Sequence, residues 1–128
     1  MNMKSLLTPI RGVTYLRASD TVRDAYDSLE RHALAAAPLV DGNGRYLGTI
    51  TETDLRHHLA GRRDRAMAFE TPLSQLERHA KNPAVTTDEN LGALSMRACS
   101  QGFVPVVDGA GKLIGVIDRR KVSALRAS

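Results

Sequence analysis

The run Pro38-Leu39-Val40-Asp41-Gly42-Asn43-Gly44-Arg45-Tyr46-Leu47-Gly48-Thr49-Ile50 returns, without a gap, as Pro105-Val106-Val107-Asp108-Gly109-Ala110-Gly111-Lys112-Leu113-Ile114-Gly115-Val116-Ile117, at a constant offset of 67 residues. A repeat of this kind decides the fold before any single element does, because each copy must be the same supersecondary unit. Upstream, Ser19-Asp20-Thr21 pairs with Thr87-Asp88-Glu89 at an offset of 68, so the second copy is slightly shorter between these two blocks.

Each copy reads alike in local structure. A short apolar stretch (Val13 to Leu16; Ala84 to Thr86) precedes a helix in which Ser19 or Asp20 offers a cap and Val22, Ala25, Tyr26, Leu29 and Ala33 fall on one face. Two strands follow, Leu39 to Val40 and Tyr46 to Ile50, separated by Asp41-Gly42-Asn43-Gly44, residue types that tolerate positive φ and predict a hairpin. A second helix runs from Thr53 or Asp54 through Leu55 and Leu59 to Gly61. The unit is strand, helix, strand, strand, helix. Its sheet has one apolar face and its helices only narrow stripes, so two copies together solve a burial problem that one cannot. The expected organisation is an α/β module with a first repeat over residues 1–62, a linker over 63–81 and a second repeat over 82–128. Within the linker, Thr71 and Pro72 suit the cap and first turn of a short helix through Leu73 and Leu76.

Composition agrees with one compact unit. The chain has 128 residues, 42% hydrophobic and 25% charged, with a formal net charge of +4. Its lone Cys99 permits no internal disulfide and carries no nucleophile motif. The longest apolar run, Ala33 to Val40, is far shorter than the roughly 20 residues that span a bilayer. The opening Met1 to Thr14 lacks the apolar stretch of a secretory signal, so a cytoplasmic location is expected.

The apolar-Pro-apolar-Val-Asp strand, the glycine hairpin, the Gly-x-x strand that enters a helix, and the duplication itself resemble CBS (cystathionine β-synthase) domains. The pair resembles a Bateman module across nearly the whole chain. That resemblance implies two repeats related by a pseudo-two-fold axis, clefts between them that take adenosine-containing ligands such as AMP, ADP or ATP, or S-adenosylmethionine, and dimerisation of the module.

The motif that would hold such a ligand is Gly48-Thr49-Ile50-Thr51-Glu52-Thr53-Asp54, which resembles the family's Ser or Thr three residues before an Asp. A helix N-terminus offers unpaired amides and a positive dipole end to phosphate, with the Thr51 and Thr53 hydroxyls as further donors. The Asp54 carboxylate repels phosphate but accepts from a ribose diol. Thr51 and Asp54 also have the spacing of a capping box, a role that needs no ligand. The resemblance extends the site to Pro83, Ala84 and Val85 and to Gly102, Phe103 and Val104, apolar groups suited to a purine. Phe103 either stacks on the base or belongs to the core. The second copy departs from the motif, with Asp118 where Thr51 stands and Lys121 where Asp54 stands. Its counterpart cleft is then either empty or turned to anions through Arg119, Arg120 and Lys121. One nucleotide site per chain is expected.

Other signals fail. Asp41, Asn43 and Glu52 match three positions of a calcium loop, but Arg45 and Tyr46 stand where a ligand and the turn glycine are required, and no metal is expected. His32, His57, His58 and His79 have no chelating spacing. No nucleophile, base and acid constellation is present, so the reading is not an enzyme. Arg62, Arg63 and Arg65 with Arg119 to Lys121 form basic clusters, yet a charge of +4 and five aromatics without a stacking platform argue against nucleic acid. The expected function is regulatory ligand sensing by a homodimer that acts on a partner protein. The alternative is a structural interaction and dimerisation module with no nucleotide, and nucleic-acid binding through the basic clusters ranks third.

Overall fold

The computed structural model describes residues 5–78, 82–87 and 102–121. Among them the elements run β1 (Leu7–Pro9), β2 (Leu16–Arg17), α1 (Val22–Arg31), β3 (Ala36–Val40), β4 (Tyr46–Thr51), α2 (Glu52–Ala60), α3 (Arg65–Phe69), β5 (Val85–Thr86), β6 (Phe103–Val107) and β7 (Leu113–Asp118). Short 3-10 turns cover Ile10–Gly12 and Leu73–Gln75. The chain divides into two units, one drawn from 14–43 and 47–80, the other from 1–13, 44–46 and 81–128.

The first of these holds the sheet β2-β3-β4 with α1, α2 and α3. Leu16 pairs in parallel with Leu39 and Arg17 with Val40. Parallel neighbours need a crossover, and α1 supplies it. Val22, Ala25 and Leu29 of α1, Leu39 and Ile50 of the sheet, and Leu55 and Leu59 of α2 form one buried cluster. Each of the Val, Leu and Ile side chains contributes about 1.5–3 kcal/mol when fully buried. The cap of α1 is Thr21, not Ser19 or Asp20. Its hydroxyl accepts from the Asp24 amide at 3.2 Å while the Asp24 carboxylate accepts from the Thr21 amide at 3.0 Å. Asp20 instead accepts from the Arg17 amide at 2.9 Å. Ala33, counted on the helical face from its spacing, lies beyond α1 at φ 53.

The linker differs from its expectation. Asp64 caps α3 by accepting from the Met67 amide at 3.2 Å, a helix the sequence reading left unassigned. Leu73–Gln75 is a single 3-10 turn capped by Pro72 without a side-chain bond, because the Thr71 hydroxyl turns back to the Met67 carbonyl at 3.4 Å. His58 is half-buried, with its Nε2 3.0 Å from the Ala68 carbonyl and 3.2 Å from the Thr71 hydroxyl oxygen. A carbonyl only accepts, so Nε2 carries the proton.

The second unit holds the sheet β1-β7-β6-β5 around Leu6, Val85, Val104, Val106 and Ile117. β5 and β6 run parallel, β6 and β7 antiparallel, and β1 adds antiparallel to the outer side of β7. Close approach of β1 requires Gly115, where a Cβ would stand 2.2 Å from the Thr8 carbonyl oxygen. The two repeated turns meet in this unit. The Tyr46 amide donates to the Gly111 carbonyl and the Leu113 amide to the Gly44 carbonyl, both at 3.0 Å. Arg45 and Lys112 form an isolated antiparallel bridge between these two bonds. Inside each turn an aspartate does the same work, Asp41 accepting from the Asn43 amide at 2.8 Å and Asp108 from the Ala110 amide at 2.9 Å. The expected helix after Thr87, His79 and Cys99 lie outside the described residues.

Candidate functional site

β4 runs straight into α2, which places the motif residues in order along one strand end. Thr51 is extended at φ −111 and ψ 160 and caps the helix. Its hydroxyl accepts from the Asp54 amide at 3.1 Å, and the Asp54 carboxylate accepts from the Thr51 amide at 3.1 Å. Asp54 is 2% exposed and Thr49 1%, whereas Thr53 and Glu52 face solvent. The Glu52 amide donates to the Ala35 carbonyl at 2.9 Å. Two of the first-turn amides that make a helix N-terminus attractive to anions are therefore already engaged. Glu52 and Asp54 add two carboxylates to the same turn.

Just upstream, Gly48 sits at φ +156, a conformation open to glycine, and the Arg78 guanidinium lies over it. Cζ and Nε of Arg78 are each 3.4 Å from where a Gly48 Cβ would be. The sequence reading missed Arg78. Its contact depends on how the linker returns to β4, and no local spacing encodes that.

The remaining expected residues belong to the other unit. Val85 and Val104 are wholly buried in its core, so only their backbone remains for a ligand. Pro83 and Gly102 are exposed, and Ala84 and Phe103 half-buried. Val85 pairs with Val106, Phe103 pairs with Asp118, and the Gly102 carbonyl accepts from the Arg119 amide at 3.0 Å. The basic start of the helix after β7 is partly committed. Arg120 grips Asp118 with its side chain at 3.2 Å and its amide at 2.8 Å, and the Lys121 ammonium donates to the Leu6 carbonyl at 3.5 Å. The hydrogen bond from the Arg120 side chain holds the Asp118 carboxyl below its ordinary value, against an upward push from burial.

A cavity of about 280 Å3 opens between α1 and α2, lined by Tyr26, Leu29, Glu30, Glu52, Leu55 and Arg56. None of the expected nucleotide-binding residues lines it. Among the described residues no group of three or more His, Cys, Asp or Glu is placed to hold a metal, and no helix is long and apolar enough to cross a membrane.

The CBS domain model matches residues 4–61 and again residues 81–127. The chain belongs to the CBS domain family. Solved structures of CBS pairs carry the same fold. The CBS domains of a transcriptional regulator from Streptococcus pneumoniae superpose with a TM-score of 0.76 at 25% identity, covering 97% of this chain and 98% of that one. CBSX2 in complex with AMP gives 0.77 at 23%, covering 98% and 97%, and the same protein is described from Arabidopsis thaliana. CbpB from Listeria monocytogenes in complex with c-di-AMP gives 0.84 at 17%, covering 98% and 94%. No curated protein matches the chain.

Proposed function

We propose that this CBS pair, with repeats over 1–62 and 82–128, is a regulatory sensor of an adenosine-containing nucleotide. Thr49, Thr51, Thr53 and Asp54 serve the ribose and phosphate, and Pro83, Ala84, Val85, Gly102, Phe103 and Val104 serve the adenine. The observation that carries the reading is the Thr51 and Asp54 pair at the head of α2, in a chain whose structural neighbours were solved with AMP and with c-di-AMP. Asp54 is the ribose acceptor, and the core positions of Val85 and Val104 leave their main chain for the purine edge. Binding regulates only through different affinities for two states, so the ligand must favour one arrangement of the module for a partner protein to read. We take the chain to be a binding module and not an enzyme, acting as a homodimer in the cytoplasm.

A second reading has its own observation. The Thr51 and Asp54 bonds complete a capping box, which by itself accounts for both residues in a purely structural interaction module. One experiment separates the two. Thermal unfolding is followed with AMP, ADP, ATP, c-di-AMP, S-adenosylmethionine and guanosine counterparts, on wild type and Asp54→Ala. A ligand at 100 times its Kd adds about 2.7 kcal/mol, which moves the midpoint of a domain this size by several degrees. A shift confined to adenosine ligands and to the wild type supports the sensor. No shift with any of them makes the structural module the better reading.

A further inference from the structure

We propose that the cavity between α1 and α2 is a second binding site, and that its ligand is a free basic amino acid of the lysine or arginine kind. No residue assigned above to the nucleotide lines this cavity, and the proposal does not rest on the nucleotide reading.

Size sets the first limit. The cavity measures about 280 Å3 and lies wholly within the unit that holds α1, α2 and α3. At roughly 30 Å3 for each water-sized group it takes about nine or ten non-hydrogen atoms, the size of an amino acid, whereas a nucleotide monophosphate is roughly twice as large. Leu29 and Leu55 are buried and close its inner end, which gives an aliphatic stem an apolar surface to lie on. Tyr26 is exposed, yet its ring is held in place. It packs edge-on against Phe69 with 6.1 Å between centroids, and the Arg23 guanidinium covers Phe69 at 4.9 Å while donating to Glu70 at 3.2 Å. This wall is therefore ordered before any ligand arrives, which lowers the cost of binding.

Charge sets the class. Glu30, Glu52 and Arg56 line the opening and all three are exposed. Among the described residues none of them is in an ion pair. Glu52 and Arg56 stand four apart on α2, the spacing at which such pairs commonly form, and still they do not pair. Two carboxylates and one guanidinium are matched by a ligand with two cations and one anion. Its α-carboxylate takes the planar fork of Arg56, its α-ammonium and side-chain cation take Glu30 and Glu52, and its methylene stem runs over the leucines. A phosphate or an acidic metabolite meets two carboxylates as like charges. A neutral amino acid leaves one carboxylate unmatched, and a diamine leaves Arg56 facing a cation.

The test follows amide chemical shifts of the full isotope-labelled chain as four probes are added at millimolar concentrations: lysine, arginine, norleucine, which lacks the side-chain cation, and cadaverine, which lacks the carboxylate. Glu30→Gln, Glu52→Gln and Arg56→Gln are titrated alongside wild type, with unfolding midpoints as the folding control. The expected result is that lysine or arginine shifts the amides of Tyr26 to Glu30 and of Glu52 to Arg56 saturably, and binds more tightly than norleucine or cadaverine. Glu30→Gln and Glu52→Gln each weaken that ligand roughly three- to tenfold, the loss of one charged hydrogen bond open to water. Arg56→Gln weakens the amino acid and leaves cadaverine bound no less tightly. No saturable shift with lysine or arginine overturns the proposal, as does saturation confined to amides away from α1 and α2. Equal affinity for all four probes overturns the charge matching and with it the ligand class, and so do variants that keep wild-type midpoints and wild-type affinity. Should a variant unfold, the ranking of the four probes on wild type decides by itself.

Discussion

Thr51 and Asp54 hydrogen-bond each other twice, hydroxyl to amide and carboxylate to amide, each at 3.1 Å, so the residues assigned to the ligand also hold the helix that presents them. Stability and binding are coupled at this point, and substitutions must be chosen to separate them. Asp54→Asn keeps an acceptor for the Thr51 amide and removes the charge. Asp54→Ala removes both. We expect Asp54→Ala to cost about 1 kcal/mol of stability through the lost cap. It should also weaken nucleotide binding by about 1.5–3 kcal/mol, whereas Asp54→Asn loses chiefly the binding. Urea unfolding and titration of the same samples check this, and equal affinities across the three proteins would remove Asp54 from the site.

Gly115 is the position where a single methyl group is least tolerable. A Cβ there would meet the Thr8 carbonyl oxygen at 2.2 Å and the Leu7 side chain at 2.9 Å, so β1 must move off β7. Gly115→Ala is expected to destabilise by about 1–3 kcal/mol or more, the range for overpacking. Gly42, with nothing within 4 Å of its Cβ position and no positive φ, is the control, and Gly42→Ala should be close to neutral. Denaturation midpoints of the two variants decide the matter.

The Asp118 and Arg120 pair predicts a dependence on acid. The Arg120 side-chain bond is the largest influence and lowers the Asp118 pKa below 3.8, with the Arg120 amide and the charges of Arg120 and Lys121 acting in the same direction against burial. A depressed folded-state pKa contributes stability that is present above 3.8 and is lost as pH falls through the lower folded value. The pair is largely open to water, so the contribution is small. Stability measured from neutral to strongly acidic pH should fall less steeply in Asp118→Asn than in wild type. Parallel profiles would show that the pair contributes nothing.

His58 fastens α2 to the linker. Removing its Nε2 donor leaves the Ala68 carbonyl and the Thr71 hydroxyl without it. His58→Ala should cost about 1 kcal/mol, the usual net value of a hydrogen bond. Amide exchange should rise over Arg65–Phe69 and the following turn, with β3 little changed. Unchanged exchange over α3 would mean the clasp is not what holds it.

Legibility in the sequence followed the range of the interactions. The strands around Pro38 and Pro105, the glycine turns and the motif at Thr51 could be read because each depends on neighbours a few residues away, and duplication printed the pattern twice. β1 could not. Leu7–Pro9 is three residues long and contains a proline, and only Gly115 on a distant strand makes room for it. α3 escaped for a similar reason, since a helix of five residues, Arg65–Phe69, carries little periodicity and its Asp64 cap is seen only once the chain turns. The choice of Thr21 over Ser19 or Asp20 as cap was settled by Asp24 and by Asp20's own bond to Arg17.

The sequence by itself determined that the chain is a tandem α/β repeat, which turns it uses and which strand end bears the hydroxyl and carboxylate pair, because periodicity, turn chemistry and capping are local. Tertiary structure alone decided that β1 joins the sheet of the second repeat, that His58 clasps the linker, that Lys121 reaches the Leu6 carbonyl, and that Arg78 lies over Gly48. These contacts join segments tens of residues apart, and the burial and close approach that select them exist only after the chain has folded.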